Sequence, residues 1–144
     1  MNNLTIKIGN SPEICMLADK LKQSVFIEEQ GIPKDEIFDG PDDKAVYVVI
    51  LDGDSPISTA RVIRENDAWR IGLVAVDRSM RGKHIGEKVM RAAMEYIFAQ
   101  EGNEIVLTAQ QEVCGFYEKL GFERYGEVIT FESGFVLVPM KYNK

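Results

Sequence analysis

The stretch VAVDRSMRGKHIGEKVMRAAMEY, residues 74–96, joins the end of an apolar strand to a long helix through a basic loop that contains two glycines. Ile85, Val89, Ala93 and Ile97 recur at helical spacing and define one apolar face, and Gly102 marks the end of the helix. At a strand-to-helix junction the first-turn N–H groups have no partner within the helix, and the helix dipole adds partial positive charge. RGKHIG, residues 81–86, therefore predicts an anion site of the size of a pyrophosphate. Gly82 and Gly86 would let a ligand approach the backbone without a Cβ in the way. By shape alone the same loop also suits a plain connection. It has neither the GxxxxGK[ST] nor the GxGxxG pattern, so nucleoside triphosphate hydrolysis is not supported.

Working outward, LTIKI (residues 4–8) alternates as a half-buried strand, and Ser11 before Pro12 predicts a helix start. Ile14, Leu17, Ala18, Leu21, Val25 and Phe26 extend that helix to about Glu28, after which residues 30–44 read as loop. Residues 45–52, 56–65 and 68–76 read as three antiparallel strands joined by hairpins. After the long helix come a buried strand (104–109), a short helix stopped by Gly121, and two strands at about 122–130 and 134–142. The expected order is βαβββαβαββ. This is an α/β (α+β) sheet covered by helices, in one domain over residues 1–144.

The chain has 144 residues, with 45% hydrophobic and 28% charged residues, which suits one globular domain. Seventeen Lys+Arg against 23 Asp+Glu give a net charge of −6. That argues against general affinity for nucleic acid or anionic membrane, and the 78–91 basic patch lacks an aromatic stacking platform for RNA. Residues 28–43 hold seven acids (Glu28, Glu29, Asp35, Glu36, Asp39, Asp42, Asp43) and one base (Lys34), a local charge equal to that of the whole chain. Such a loop would attract a cationic substrate, or it is simply a solvated loop. No apolar run approaches 18 residues and MNNLTIKIGN is no leader sequence, so a cytoplasmic protein is expected. Cys15 and Cys114 with one histidine write neither a disulfide framework nor a common zinc site, and no metal is expected.

The first stretch together with LTAQQEVCGFYEKLGF, residues 107–122, resembles the GNAT superfamily of acyl-CoA-dependent N-acyltransferases. The shared pattern is a strand, an R/Q-x-x-G-x-G/A loop, a long helix, a strand, then FYxxxGF on a short helix. VFIEEQGIP (25–33) and AQxxVxxFY (109–117) are most similar to the small bacterial ElaA/YjcF-like branch. The resemblance implies a GNAT-like, mostly antiparallel sheet flanked by helices, with two splayed parallel strands (68–76 and 104–109) opening a CoA cleft. It also implies acetyl-CoA as cosubstrate, with contacts from Val74, Ala75, Val76, Arg81, Gly82, Lys83, His84, Ile85, Gly86, Phe116 and Tyr117. The family's first loop glycine is His84 here, a departure tolerated if its φ is ordinary, with a ring that could donate to a phosphate or stay exposed and idle.

The implied reaction moves an acetyl group to a primary amine by direct attack in a ternary complex, the acceptor being a small molecule or a peptide. It needs a neutral nucleophile, oxyanion stabilisation and a proton for the thiolate. Tyr117 is the implied general acid, and the backbone N–H of Val76 the oxyanion donor. No base is obvious; Glu28 and Glu29, which follow the first helix, are the best carboxylates to hold an ammonium or accept its proton through water, or are plain surface acids. The branch's histidines are replaced by Tyr47 and Leu137. Cys114, three residues before Tyr117, is either a packed thiol or an acyl carrier. The alternative function is a catalytically silent acyl-CoA-binding module. The last strand, with Pro139 inside it, is expected at a sheet edge where a second copy would dock.

Overall fold

The computed structural model describes residues 3–38 and 44–144. Strand β1 (Leu4–Gly9) leads to helix α1 (Pro12–Lys22), whose N-cap Ser11 accepts from the N–H of Ile14 with Pro12 in the first turn. The helix does not stop there but widens into a π-helical segment, Gln23–Glu29. The expected loop then holds one helical turn, α2 (Lys34–Ile37). Strands β2 (Val46–Asp52), β3 (Ser55–Glu65) and β4 (Ala68–Val76) follow as antiparallel neighbours, as expected. A 3₁₀ turn, Arg78–Met80, then precedes α3 (Ile85–Ala99) and β5 (Glu104–Gln110). The chain ends with α4 (Cys114–Lys119), β6 (Glu123–Arg124), β7 (Ile129–Thr130) and β8 (Val136–Asn143).

One mixed sheet runs β1-β2-β3-β4-β5-β8-β6, with β7 also on β8. Its strand β2 is apolar almost without interruption because both faces are covered. Val48 and Ile50 belong to the core under α3, whereas Tyr47, Val49 and Leu51 pack with Ala18 of α1. On α3, Ile85, Val89, Ala93 and Ile97 are all buried, and Met80, Met90 and Met94 fill the same core.

Two expectations are corrected. The strand expected at 122–130 is two short pieces on either side of Gly126, whose φ of +70° bends the chain away from β8. β8 lies between β5 and the pair β6/β7, so it is not an edge and the expected docking strand is inside the sheet. Gly102 does not itself take the left-handed conformation after α3; Glu101 does, at φ +65°. What needs a glycine at 102 is space, since a Cβ there would meet Trp69 Nε1 at 2.5 Å and Ile97 Cγ2 at 2.6 Å.

Among the described residues, β4 and β5 are the only parallel neighbours. They pair at Trp69↔Ile105 and Arg70↔Val106 and no further. Above that point Leu73 takes φ +47°, and the β3–β4 register shifts between Thr59 and Arg61. This is a bulge, which adds twist and turns β4 out of the ladder. The bulge and the short pairing open a V between the carboxyl ends of the two strands.

Candidate active site

The V is the floor of a cleft of about 450 Å³ lined by β4 from Ile71 to Val76, β5 from Leu107 to Gln110, and side chains of α4 and of the segment after α1. It gathers Val74, Ala75, Val76, Arg81, Gly86, Phe116 and Tyr117, seven of the expected site residues. Gly82 and His84 line a neighbouring depression with Glu87, Phe116 and Lys119. Lys83 is exposed on the loop, and the Ile85 side chain is buried in the core, so only its backbone is available to a ligand.

Alternation along β4 decides which amides face the V. Asp77 N–H donates to Ile57 O at 2.8 Å, toward β3. The amides of Val76 and Val74 therefore point the other way, into the cleft. The carbonyl of Val76 accepts from Arg81 Nε at 3.1 Å, so the backbone polar group this residue offers the cleft is its N–H.

At the start of α3, the N-cap His84 makes no side-chain cap hydrogen bond, so the first-turn N–H groups stay open. Gly86 lies under Phe116, where a Cβ would stand 3.4 Å from the ring. His84 itself adopts φ +63°, the left-handed region a glycine takes without strain. The condition for tolerating this replacement is thus not met. With its side chain 84% exposed and 3.9 Å from Glu87, His84 gains no buried partner that offsets the strain.

Arg81 is the most constrained side chain of the loop. Its Nη1 and Nη2 donate to Glu29 Oε2 at 2.6 Å and Oε1 at 2.8 Å, in a two-pronged pair. These hydrogen bonds, with the guanidinium charge, hold the Glu29 carboxyl below the usual carboxylate range and push Arg81 further up. The expected proton-accepting role of Glu29 is therefore corrected: a carboxylate committed to a guanidinium is a poor base. Glu28 is exposed and does not line the cleft. Asp39, Asp42 and Asp43 of the acidic stretch lie outside the described residues.

Tyr117 packs against Phe116 (ring centroids 5.0 Å) and Phe122 (6.2 Å). Burial, with Cys114 nearby, pushes its phenol up to about 12. Cys114 is fully buried in the main core, with its thiol 3.7 Å from Gln110 O, which is the packed-thiol reading. Tyr47 is also fully buried; its hydroxyl accepts from Lys22 Nζ at 2.6 Å, away from the cleft. Leu137 pairs with Gln110 in the sheet and does not line the cleft either. The two positions lacking the branch histidines therefore remove no group from the cleft walls.

Val25, Phe26, Gln30, Ile32 and Ile37 were not expected in the site. Their signal in the sequence was the pair Ile32 and Ile37 inside an otherwise acidic stretch.

The acetyltransferase (GNAT) domain family matches residues 24–144. Over 114 residues the chain is 24% identical to the uncharacterized N-acetyltransferase YjcF of Bacillus subtilis, covering 79% of this chain and 81% of YjcF. It is 28% identical over 115 residues to ElaA of Escherichia coli, covering 76% and 74% respectively. The crystal structure of ElaA superposes with a TM-score of 0.87, covering 98% of this chain and all of that one. A Lactobacillus plantarum protein superposes with a TM-score of 0.91 at 29% identity, covering 99% of both chains. Splayed parallel strands beside an open helix N-terminus define the fold of an acyltransferase. This chain belongs to the GNAT acetyltransferase family. Among the described residues no helix is long and apolar enough to cross a membrane.

Proposed function

We propose that the protein transfers an acetyl group from acetyl-CoA to a primary amine by direct attack in a ternary complex. The observation that carries this reading is the V between β4 and β5, with free backbone amides on one limb and Tyr117 on the wall. The donor fits the residues present. The unpaired edge of Val74 and Val76 suits the amides of a pantetheine arm, and the uncapped N–H groups from Gly82 to Gly86 suit a pyrophosphate.

In this reading the amine nitrogen attacks the thioester carbonyl, the N–C bond forms and the C–S bond breaks. The Val76 N–H donates to the developing oxyanion. Tyr117 holds the proton that the thiolate needs. A phenol near 12 facing a thiol of about 8.5 gives up that proton uphill by roughly 5 kcal/mol. Tyr117 therefore donates a hydrogen bond first and releases its proton only as the nitrogen's surplus proton replaces it. Arg81, braced by Glu29, fixes the loop between β4 and α3 and leaves phosphate contacts to the backbone.

A silent acyl-CoA-binding module loses its main support, because the missing histidines are not cleft positions. Replacing Tyr117 by Phe separates the two readings: turnover falls and acetyl-CoA binding stays if the protein is an enzyme. A variant that turns over as fast as the parent contradicts the assignment of Tyr117.

A further inference from the structure

The segment after α1 forms one wall of the cleft, which the acetyltransferase reading assigns to the acceptor, and it is apolar. Phe26, Ile32 and Ile37 line it, with Gln30 as the polar side chain among them, and Val113 lines the same cleft. Among the described residues that line the cleft, Arg81 alone carries a charge at neutral pH, and Glu29 already neutralises it. Thr108, on the β5 wall, accepts a hydrogen bond at 3.3 Å from Arg70 Nη1, whose charge is likewise met by Glu65 at 3.0 Å. Glu28, Asp35 and Glu36 are exposed and do not line the cleft.

An ammonium entering this cleft would lose water and find, among the described carboxylates near it, only Glu29, which Arg81 already holds. A neutral amine with an apolar body meets none of these penalties. We propose that the acceptor is a hydrophobic primary amine of the arylalkylamine class, bound as the free base, with its body against Phe26 and Ile32 and its polar contact at Gln30. This rests on the acetyltransferase reading and deepens it.

The same walls account for the want of a base. Desolvation disfavours the charged form of an amine, so the proton is lost to solvent on entry and the nitrogen arrives with its lone pair free. Neutral amine and thioester then give amide and free thiol: the N–C bond forms, the C–S bond breaks, and one proton passes from nitrogen to sulfur. No carboxylate or imidazole takes part.

The test compares phenethylamine and tryptamine with putrescine and spermidine as acceptors, by release of the CoA thiol from acetyl-CoA. We expect kcat/KM to favour the arylalkylamines by at least about 10-fold. Ile32→Asp, which places a carboxylate on the wall, should lower kcat/KM for phenethylamine by about 10-fold and narrow the gap to spermidine, with acetyl-CoA affinity unchanged. Polyamine turnover equal to or above that of the arylalkylamines overturns the proposal and leaves the acetyltransferase reading standing. So does an acetyl-CoA-loaded protein that neither binds nor acetylates phenethylamine at millimolar concentration. Failure of the parent protein to bind acetyl-CoA overturns both.

Discussion

Tyr117 and His84 show how much a single residue's surroundings alter its reading. FYxxxGF pointed to Tyr117 directly, but the height of its pKa comes from Phe116, Phe122 and the core around them, which no local pattern reveals. Two pH effects follow. With the phenol protonated until about pH 12, kcat/KM should rise as the acceptor amine loses its proton and show no decline up to pH 10; a falling limb near pH 8 would contradict Tyr117 as the acid. The folded-state pKa lies above the unfolded value near 10, so this contribution to stability is complete below pH 10 and is lost as pH rises toward 12. Tyr117→Phe should lower kcat by roughly 10² while acetyl-CoA affinity changes less than about 2-fold, read from steady-state kinetics and calorimetry. At His84 the loop pattern was legible and its cost was not, since φ is invisible in sequence. His84→Gly should gain about 1 kcal/mol of stability in urea unfolding; a loss of stability would show that the imidazole holds something the strain argument omits.

At the scale of elements, the periodic segments were legible and the irregular ones were not. α1, α3 and β2 to β5 follow from spacing alone, because one buried face or two set their patterns. The bulge at Leu73 and the π-helical turns at Gln23–Glu29 leave no such mark, yet both shape the cleft: one splays β4 from β5, and the other carries Phe26 and Glu29 to its rim. The Glu29–Arg81 pair joins residues 52 apart in sequence and ties the end of that segment to the phosphate loop. Glu29→Gln should therefore weaken acetyl-CoA binding several-fold and leave the pH profile of kcat in place, whereas a base would lose one limb of that profile. Because its carboxyl lies below the ordinary value near 4.5, the pair is intact above that pH and is lost as pH falls below it. The turn after α3 carries a prediction of its own. Gly102→Ala forces a methyl group into Trp69 and Ile97 and should cost roughly 1 to 3 kcal/mol in urea unfolding. An unchanged midpoint would mean that Trp69 moves freely.

For the molecule as a whole, one sheet covered on both faces still has a place where neighbouring strands part. That place lies between β4 and β5, where two strands share only two residue pairs before diverging. The net acidity, which on composition alone left a cationic acceptor open, includes no described carboxylate that lines the cleft, and the cleft walls that are described are mostly apolar. The central claim is that this opening holds acetyl-CoA, and calorimetric titration tests it without knowledge of the acceptor. The parent protein should bind acetyl-CoA with a micromolar dissociation constant, and Gly86→Leu, which fills the space under Phe116, should weaken binding by at least about 10-fold, or about 1.4 kcal/mol, with an unchanged circular dichroism spectrum. No binding by the parent protein at millimolar acetyl-CoA, or equal binding by the variant, would contradict it.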